Sequence, residues 1–336
     1  MKRRRHEDFC LDDFLLFHVL QFCDLSVLFN SVRRVSKQFF RICNHKSLWH
    51  DLYLRGFPNC DKLMHFYKSS IYHLTLSKTR WTRRNTFSFL KLENIRTLDL
   101  RKCFRNSLID DRFCYLIRHT STLRNLFLPP TKISCCGMME LSKLQLSMFT
   151  MSENYFVYED AIRFFLDKQK ESLHSINFQS VKGFDNTCLM SCNELQLKNI
   201  QISFCSVDTE GIEQFSLMHF PVLQMCVFHG VFINKKTIQN FSQTCPNIDT
   251  FTLNSYENSM TEYSELSLMQ KLKTLCIICC QPIFDIDFLR ASVVKFLYLC
   301  RTPLVINSDK QLNEYLQVFV DKGCKLKTCD DAKIFF

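Results

Sequence analysis

The feature that most constrains the fold is a short apolar pattern that recurs along the chain. Each copy consists of an apolar residue, two residues of any kind, an apolar residue, one residue of any kind and a third apolar residue. Ten copies begin at Ile71, Ile95, Leu123, Leu141, Leu173, Leu197, Leu223, Ile248, Leu272 and Val294. Most starts are 22 to 28 residues apart. Recurrence at this period predicts a solenoid, in which each unit buries its apolar side only against its neighbours.

The segments between these patterns predict helices on the other side of the solenoid. Apolar residues at helical spacing occupy residues 109–120, 158–170, 208–219 and 237–246. The expected fold class is therefore α/β, with parallel strands on the concave face and helices and loops on the convex face. Two steps depart from the period. The 18-residue step from Leu123 to Leu141 contains Pro129 and Pro130 and predicts a loop, and the 32-residue step after it predicts an insertion near residues 148–155.

Composition argues against several other classes of protein. The 336 residues include only 6 Gly but 33 Phe, which is typical of a packed chain and not of a disordered one. No run of 18 apolar residues occurs, so we expect no membrane span. Glu7 and Asp8 interrupt the basic and apolar N-terminus, which argues against a signal peptide. The 19 cysteines then indicate reduced thiols and a location in the cytosol or nucleus.

The cysteines permit two interpretations, as metal ligands or as small core residues. Cys276 and Cys279 have the spacing of zinc ligands, but they lie on a predicted strand that turns one inward and the other outward. Cys103, Cys205 and Cys280 each follow a strand pattern at the same offset. We therefore interpret these three as buried small residues, and we expect neither a metal nor a cofactor. The runs that they complete resemble the cysteine-containing subclass of leucine-rich repeats.

A different segment precedes the repeats. Residues 11–56 show no strand pattern but carry three apolar stripes at helical spacing, and Asp24 and Ser36 stand where helix N-caps are expected. Three helices of about ten residues each make a core that is marginal alone. The surplus of apolar residues predicts that a partner completes their burial.

This segment resembles an F-box, the adaptor-binding module of SCF-type cullin–RING ubiquitin ligases. The resemblance rests on three groups of residues. The first is Leu11, Asp13, Leu15, Leu16 and Val19, the second is the run Val35-Ser36-Lys37-Gln38-Phe39, and the third is the run Ser47-Leu48-Trp49. The chain departs from the family pattern at Asp12, where proline is usual, and at Phe39, where tryptophan is usual. An F-box followed by cysteine-type leucine-rich repeats implies a substrate receptor.

The resemblance implies partners and contact residues. The F-box would bind a Skp-family adaptor, and through it cullin and RING subunits, while the repeats would hold the protein to be ubiquitylated. The residues expected to contact the adaptor are Leu11, Leu15, Leu16, Val19, Leu25, Leu28, Val32, Val35, Phe39, Leu48 and Trp49. The expected domains are a basic tail (residues 1–8), the F-box (9–56), a linker (57–70), about ten leucine-rich repeats (71–320) and a C-terminal tail or cap (321–336).

The chain carries no motif of a known catalytic site. It lacks a glycine-rich phosphate loop, a zinc-protease HExxH and a hydrolase GxSxG. We therefore expect a non-catalytic receptor, with ubiquitin chemistry performed by other subunits. The alternative is a binding scaffold that acts outside any ligase. Capture of cullin together with the Skp adaptor would distinguish the two.

The net charge of +10 gives a weaker indication. Basic clusters lie at residues 2–5, 78–84 and 101–105, and the last two are placed to line one end of the concave face. Such clusters attract acidic or phosphorylated proteins, or nucleic acid. Over such binding we favour the interpretation that the basic clusters only keep the solenoid in solution. We do not expect a nucleic-acid partner.

The strand pattern also predicts which residues face a partner. Alternation turns the residues between the apolar positions to the concave face. In the middle repeats these are polar and include Lys143 and Gln145, whereas in the last repeats they become apolar. We expect a substrate-binding patch there, made of Met225, Val227, Cys276, Ile278, Phe296 and Tyr298. A competing expectation is that the apolar end of the chain, residues 332–336, covers this patch.

Overall fold

The computed structural model describes most of the chain and divides it into two compact units, Met1–Leu108 and Ile109–Phe336. The described residues are 12–23, 25–56, 60–104, 109–254, 265–278, 293–300, 317, 321 and 323–329. The predicted boundaries at residues 56 and 70 both fall inside the first unit.

The first unit begins with helices and continues with alternating strands and helices. Its elements are α1 Asp13–Leu20, α2 Leu25–Asn30, a 3₁₀ turn Val32–Arg34, α3 Lys37–Cys43, a 3₁₀ turn Lys46–Trp49, β1 Asp51–Arg55, α4 Cys60–Phe66, β2 His73–Ser77, α5 Arg83–Phe89 and β3 Thr97–Lys102. The three strands are parallel neighbours, so that Leu52 lies beside Leu74 and Leu74 beside Leu98. The strands thus stack their leucines on one side of the sheet.

Local hydrogen bonds and one stacked pair hold the helical segment together. The Asp12 side chain accepts a hydrogen bond from the Phe14 backbone N–H, and the predicted N-cap Ser36 accepts one from Phe39. Asp13 joins α1 to α3 through an ion pair with Arg41. Trp49 is fully buried, stacks on Tyr67 at 3.9 Å and donates its indole N–H to the Cys43 carbonyl at 2.7 Å. Its ring therefore fixes the end of α3 to the start of the sheet.

The second unit is a run of parallel strands with helices between them. Its strands are β4 Asn125–Pro130, β5 Met148–Asn154, β6 Ser175–Val181, β7 Asn199–Ser203, β8 Met225–His229, β9 Thr250–Asn254, β10 Thr274–Ile278, β11 Phe296–Cys300 and β12 Lys325–Cys329. Its helices are α6 Asp111–Ile117, α7 Cys135–Leu141, α8 Glu159–Lys168, α9 Asn186–Met190, α10 Thr209–Ser216 and α11 Lys235–Thr244. Each strand pairs in parallel with the next. The predicted α/β solenoid is confirmed.

The abundant phenylalanines form the core of the second unit. The ring of Phe149 on β5 lies 4.8 Å from that of Phe165 on α8, and the ring of Phe251 on β9 lies 5.7 Å from that of Phe241 on α11. All four side chains are buried. Because the apolar strand positions pack against helices, the residues between them lie on the opposite side of the sheet, which we call the open face.

The predicted repeat starts are correct at nine positions and wrong at Leu141. At the nine, the strand begins two residues after the start. Leu141 instead ends helix α7, and the next strand begins at Met148, so the true start is Leu146. The steps around Leu146 become 23 and 27 residues, close to the period. The loop predicted at Pro129 and Pro130 is part of β4, and the insertion predicted near residues 148–155 is β5.

A buried glutamine explains why residues 142–146 do not form a strand. Gln169 is fully buried, and its Nε2 donates to the carbonyls of Ser142 and Leu144 at 3.1 and 2.6 Å. Its Oε1 accepts from the Leu146 backbone N–H at 2.9 Å. The side chain thus satisfies three backbone groups that a strand would have paired with a neighbouring strand.

The structure also adds a strand at each end of the predicted array. Strand β1 lies within the segment assigned to the F-box, and β12 lies within the predicted C-terminal tail. The residues from Trp49 to Leu54 fit the repeat pattern as well. That copy was hidden because Ser47-Leu48-Trp49 had already been assigned to the F-box resemblance.

The backbone has an unusual conformation at or just past the end of several strands. Lys78, Glu153, Ser180, Phe204 and Gly230 each lie five positions after the first residue of their strand, and all have positive φ between 45° and 80°. Pro130 occupies this position in β4, but the proline ring fixes φ near −65°. The pairing of β4 with β5 accordingly shifts register between Phe127 and Pro130.

We predict that Gln169→Leu lowers the free energy of unfolding by about 3 kcal/mol or more, because each buried backbone group left without a partner costs about 1–3 kcal/mol. The measurement is chemical unfolding of the purified chain. The matched control is Gln214→Leu, since the Gln214 side chain is exposed and donates a hydrogen bond to Glu210 on its own helix, at 3.2 Å. Equal stabilities for the two variants would contradict the role assigned to Gln169.

Candidate functional site

The helical segment of the first unit exposes a large amount of apolar surface. Seven apolar side chains are exposed to solvent, with exposed fractions from 46% at Val27 to 90% at Phe22. We call this set the helical surface, and it consists of Phe14, Leu15, Val19, Phe22, Val27, Val35 and Phe40. Single exposed apolar residues are ordinary, but this many in one short segment indicates a protein-binding site.

The structure divides the predicted adaptor-binding residues into two groups. Leu15, Val19 and Val35 are exposed, and Val32 and Phe39 are half-buried. Leu16, Leu28, Leu48 and Trp49 are buried, because the small helical core needs one side of each helix. Leu11 and the Leu25 side chain lie outside the described residues. Only the first group presents its side chains to solvent. The exposed Phe14, Phe22, Val27 and Phe40 were not predicted.

The open face of the second unit contains two rows of side chains that run across the strands. The first row is half-buried or exposed throughout and consists of Asn125, Met148, Ser175, Asn199, Met225, Thr250, Thr274 and Phe296. The second row consists of Phe127, Thr150, Asn177, Gln201, Val227, Thr252, Cys276 and Tyr298. Five members of the second row, Thr150, Gln201, Val227, Thr252 and Cys276, are buried.

Three residues of the predicted substrate-binding patch are buried, contrary to the expected exposure. Val227, Cys276 and Ile278 are buried, whereas Met225 and Tyr298 are half-buried and Phe296 is exposed. Neighbouring strands lie about 4.8 Å apart, so side chains in register within the sheet cover one another. Val227, for example, lies between Gln201 and Thr252. Lys143 and Gln145 are not on this face, since they precede β5.

The middle of the open face carries a network of polar side chains. The Asn177 side-chain amide donates to Gln201 Oε1 at 3.0 Å, and Ser203 Oγ lies 3.3 Å from Nδ1 of His229. His229 is only 2% exposed, and burial lowers the pKa of its imidazole to about 4. The imidazole is therefore neutral at neutral pH and acts as part of the packed sheet.

The cysteines that follow the strands bind the previous repeat. Cys103 Sγ donates to the Leu76 carbonyl at 3.6 Å, and Cys205 Sγ donates to the Phe178 carbonyl at 3.5 Å. Cys103 is buried and Cys205 is half-buried, and burial raises the pKa of the Cys205 thiol to about 11. Cys279 and Cys280 lie outside the described residues. Within the described part of the chain, no cluster of His, Cys, Asp or Glu is arranged to hold a metal ion.

Two other arrangements resemble sites but do not have the required geometry. His73 lies between Asp51 and Thr97, with Nδ1 2.8 Å from Thr97 Oγ1 and Nε2 3.9 Å from an Asp51 oxygen. That second distance is beyond hydrogen-bond reach, and both His73 and Asp51 are exposed to water. A cavity of about 440 Å³ beside α8 is lined by charges that neutralise each other, for example Lys170 and Asp167 at 2.5 Å.

We predict that His229 makes the folded chain less stable as the pH is lowered. In the unfolded chain its imidazole binds a proton below about pH 6.5, whereas in the folded chain it stays neutral down to about pH 4. The unfolded chain then binds more protons, so the free energy of unfolding decreases as the pH falls through this range, by up to about 1.4 kcal/mol per pH unit.

Unfolding in denaturant at several pH values measures this effect. His229→Gln should remove the His229 part of the pH dependence, and the control His119→Gln, at an exposed helix end, should retain it. The explanation is wrong if wild type and His229→Gln lose stability in parallel on acidification.

Comparisons with known proteins bear on the fold. No protein-family model matches the sequence, and no curated protein is significantly similar to it. Among solved structures, the fold is similar to that of an internalin (inlF) from Listeria monocytogenes str. 4b F2365, a leucine-rich-repeat protein. The two chains share 12% identity and a TM-score of 0.50, over 92% of this chain and 94% of the internalin. The chain thus has the α/β solenoid fold of leucine-rich-repeat proteins.

No helix in the described residues is long and apolar enough to cross a membrane.

Proposed function

We propose that this chain is the substrate-recognition subunit of an SCF-type cullin–RING ubiquitin ligase. The observation that carries the proposal is the helical surface. It is apolar, it is exposed, and it lies on and between three short helices whose sequence resembles an F-box. A leucine-rich-repeat fold follows it, and such folds serve as protein-binding scaffolds.

The adaptor would bind across α1 and the segment between α2 and α3. Leu15 and Val19 are four residues apart on α1 and share one side of the helix, and Val35 lies just before α3. The helical core already buries Leu16 and Leu20, so the exposed side chains remain for a partner. A Skp-family adaptor that covers them would connect the chain to cullin and RING subunits.

The open face of the second unit would bind the protein to be ubiquitylated. Its accessible first row offers hydrogen-bonding side chains in the middle, such as Ser175 and Asn199, and the apolar Phe296 towards its end. Main-chain groups of the strands are already paired within the sheet, so recognition would fall to these side chains. The receptor itself would perform no chemistry.

The free thiols fit a reducing compartment. Cys114, Cys188 and Cys226 are buried and unpaired by disulfides, and burial raises the pKa of each thiol. Burial therefore keeps them protonated and unreactive, as expected of structural cysteines. The number of free cysteines, in contrast, is what supports the cytosol or the nucleus as the place of action.

The second candidate function is a scaffold that binds proteins outside any ligase. The leucine-rich-repeat fold favours binding in general and is compatible with both functions. In the scaffold case the helical surface would bind an adaptor without cullin, or would bind a different partner.

We predict that Leu15→Ala combined with Val19→Ala lowers the affinity for a purified Skp-family adaptor by at least about tenfold, since side chains at the centre of an interface contribute about 2 kcal/mol or more each. The measurement is co-expression and co-purification with the adaptor, followed by a binding titration. The unfolding transition should stay close to that of wild type, because both side chains already contact water in the free chain.

Two further variants make this test specific. Leu217→Ala removes a similarly exposed leucine just after α10 in the second unit and should leave adaptor binding unchanged. Leu16→Ala removes a buried leucine and should lower stability by about 2–5 kcal/mol. Adaptor binding that is unaffected by the Leu15 and Val19 double substitution would exclude this docking surface.

A further inference from the structure

The positive charge of the chain belongs entirely to its first unit. Residues 1–108 contain 21 Lys and Arg against 9 Asp and Glu, whereas the remaining residues contain 22 against 24. The basic N-terminal tail does not account for the difference, since residues 12–108 still contain 17 against 7. A charge asymmetry of this size between two parts of one chain indicates a polyanionic partner.

Six exposed cations concentrate where the strands of the first unit end. Arg55 and Lys102 end β1 and β3, and Lys78 directly follows β2. The backbone N–H of Lys78 donates to the Lys102 carbonyl at 2.8 Å, and that of Gly56 donates to Ser77 at 2.8 Å, so the three strand ends lie side by side. The chain then leads from Lys78 into α5. We call these cations the basic edge, and they are Arg55, Lys78, Arg80, Arg83, Arg84 and Lys102.

The cations of the basic edge are not used to stabilise the fold. None of the six forms an ion pair with another residue that the structure describes. The neighbouring Arg101 differs, because its guanidinium binds the Asp99 carboxylate at 2.8 Å. Asp99 therefore neutralises Arg101 and leaves the charge of the other six to solvent.

Two of the arginines lie where the helix dipole disfavours them. Arg83 and Arg84 occupy the first turn of α5, which contains no acidic residue. Negative side chains are the favoured ones at a helix N-terminus, and α6, α8 and α10 all have an acidic residue there. Helix α11 also begins with two cations, Lys235 and Lys236, but Glu265 and Glu213 form ion pairs with them, whereas Arg83 and Arg84 have no ion pair within the described residues.

The backbone that carries these cations is rigid. Trp81, between Arg80 and Arg83, is fully buried and donates its indole N–H to Thr86 Oγ1 at 2.8 Å. Thr82 and Asn85 form a capping box at the start of α5. Because these contacts already fix the backbone around residues 80–85, binding of an anion would have to order only the cationic side chains there.

We propose that the basic edge binds a short acidic segment of a protein partner, with carboxylates or phosphates as the anions. Three strands at about 4.8 Å spacing span about 10 Å, which matches three or four residues of extended peptide. A nucleic-acid site is larger, since even one small module buries about 600–1,000 Å². The inference rests on the proposed function only in treating this partner as the ubiquitylation substrate.

Fluorescence anisotropy with labelled peptides tests the proposal on the full-length chain. The probes are a short Glu/Ser peptide, its phosphoserine form, a Gln/Ser peptide of equal length and an oligo-uridine RNA. We expect both acidic peptides to bind, the neutral peptide not to bind, and the affinity to fall as the salt rises from about 50 to about 200 mM. A higher affinity for the phosphoserine form would identify phosphate as the preferred anion.

The decisive variant is Arg83→Glu with Arg84→Glu. It should lower the affinity for acidic peptide by at least about tenfold, because two charge-assisted contacts are lost. It should not weaken folding, since glutamate suits the first turn of a helix. The control is Lys62→Glu with Lys91→Glu, which changes the net charge equally at exposed sites outside the basic edge and should retain peptide binding.

Three outcomes would overturn the proposal: no peptide binding by wild type, equal loss in both double variants, or binding of the RNA without the acidic peptides. Adaptor binding is measured on the same variants and should not change. Normal peptide binding together with absent adaptor binding would refute the proposed function and leave this site intact, whereas the reverse result would refute only the site.

Discussion

The structure depends on one constraint, that each strand must stack its apolar side chains on the same positions of the next strand. In the second unit, Ile176 lies beside Ile200, and Ile200 beside Cys226, all buried. A shift by one residue would turn these side chains to the open face and expose them to water. Cys205 strengthens the same register from outside the strand, since its thiol binds the carbonyl of Phe178 in the previous repeat.

This constraint explains both what the sequence could predict and what it could not. Nine repeat starts were predictable because the apolar pattern and its period agree there. At Leu141 two overlapping copies of the pattern compete, and the choice depends on the hydrogen bonds that Gln169 makes from more than twenty residues away. Similarly, alternation placed Val227 on the open face correctly but gave no information on its burial between Gln201 and Thr252.

The helical segment shows the same limit. The apolar stripes predicted its helices, but not which side of each stripe the small core would use. Leu16 is buried, whereas Leu15 next to it is exposed. The exposed set, the basic edge and the open face are three surfaces with different chemistry: apolar, cationic and mainly polar. The proposed function requires that an adaptor and a substrate bind at the same time, and surfaces of different chemistry suit that requirement.

The central claim is that the helical surface connects this chain to a cullin–RING ligase. Affinity purification of the full-length chain from cells, followed by quantitative mass spectrometry, tests it most directly. The account predicts that a Skp-family adaptor and a cullin are recovered together with the wild-type chain, and that both are lost together when Leu15 and Val19 are replaced. Recovery of the adaptor without cullin, or of neither protein with the wild-type chain, would contradict it.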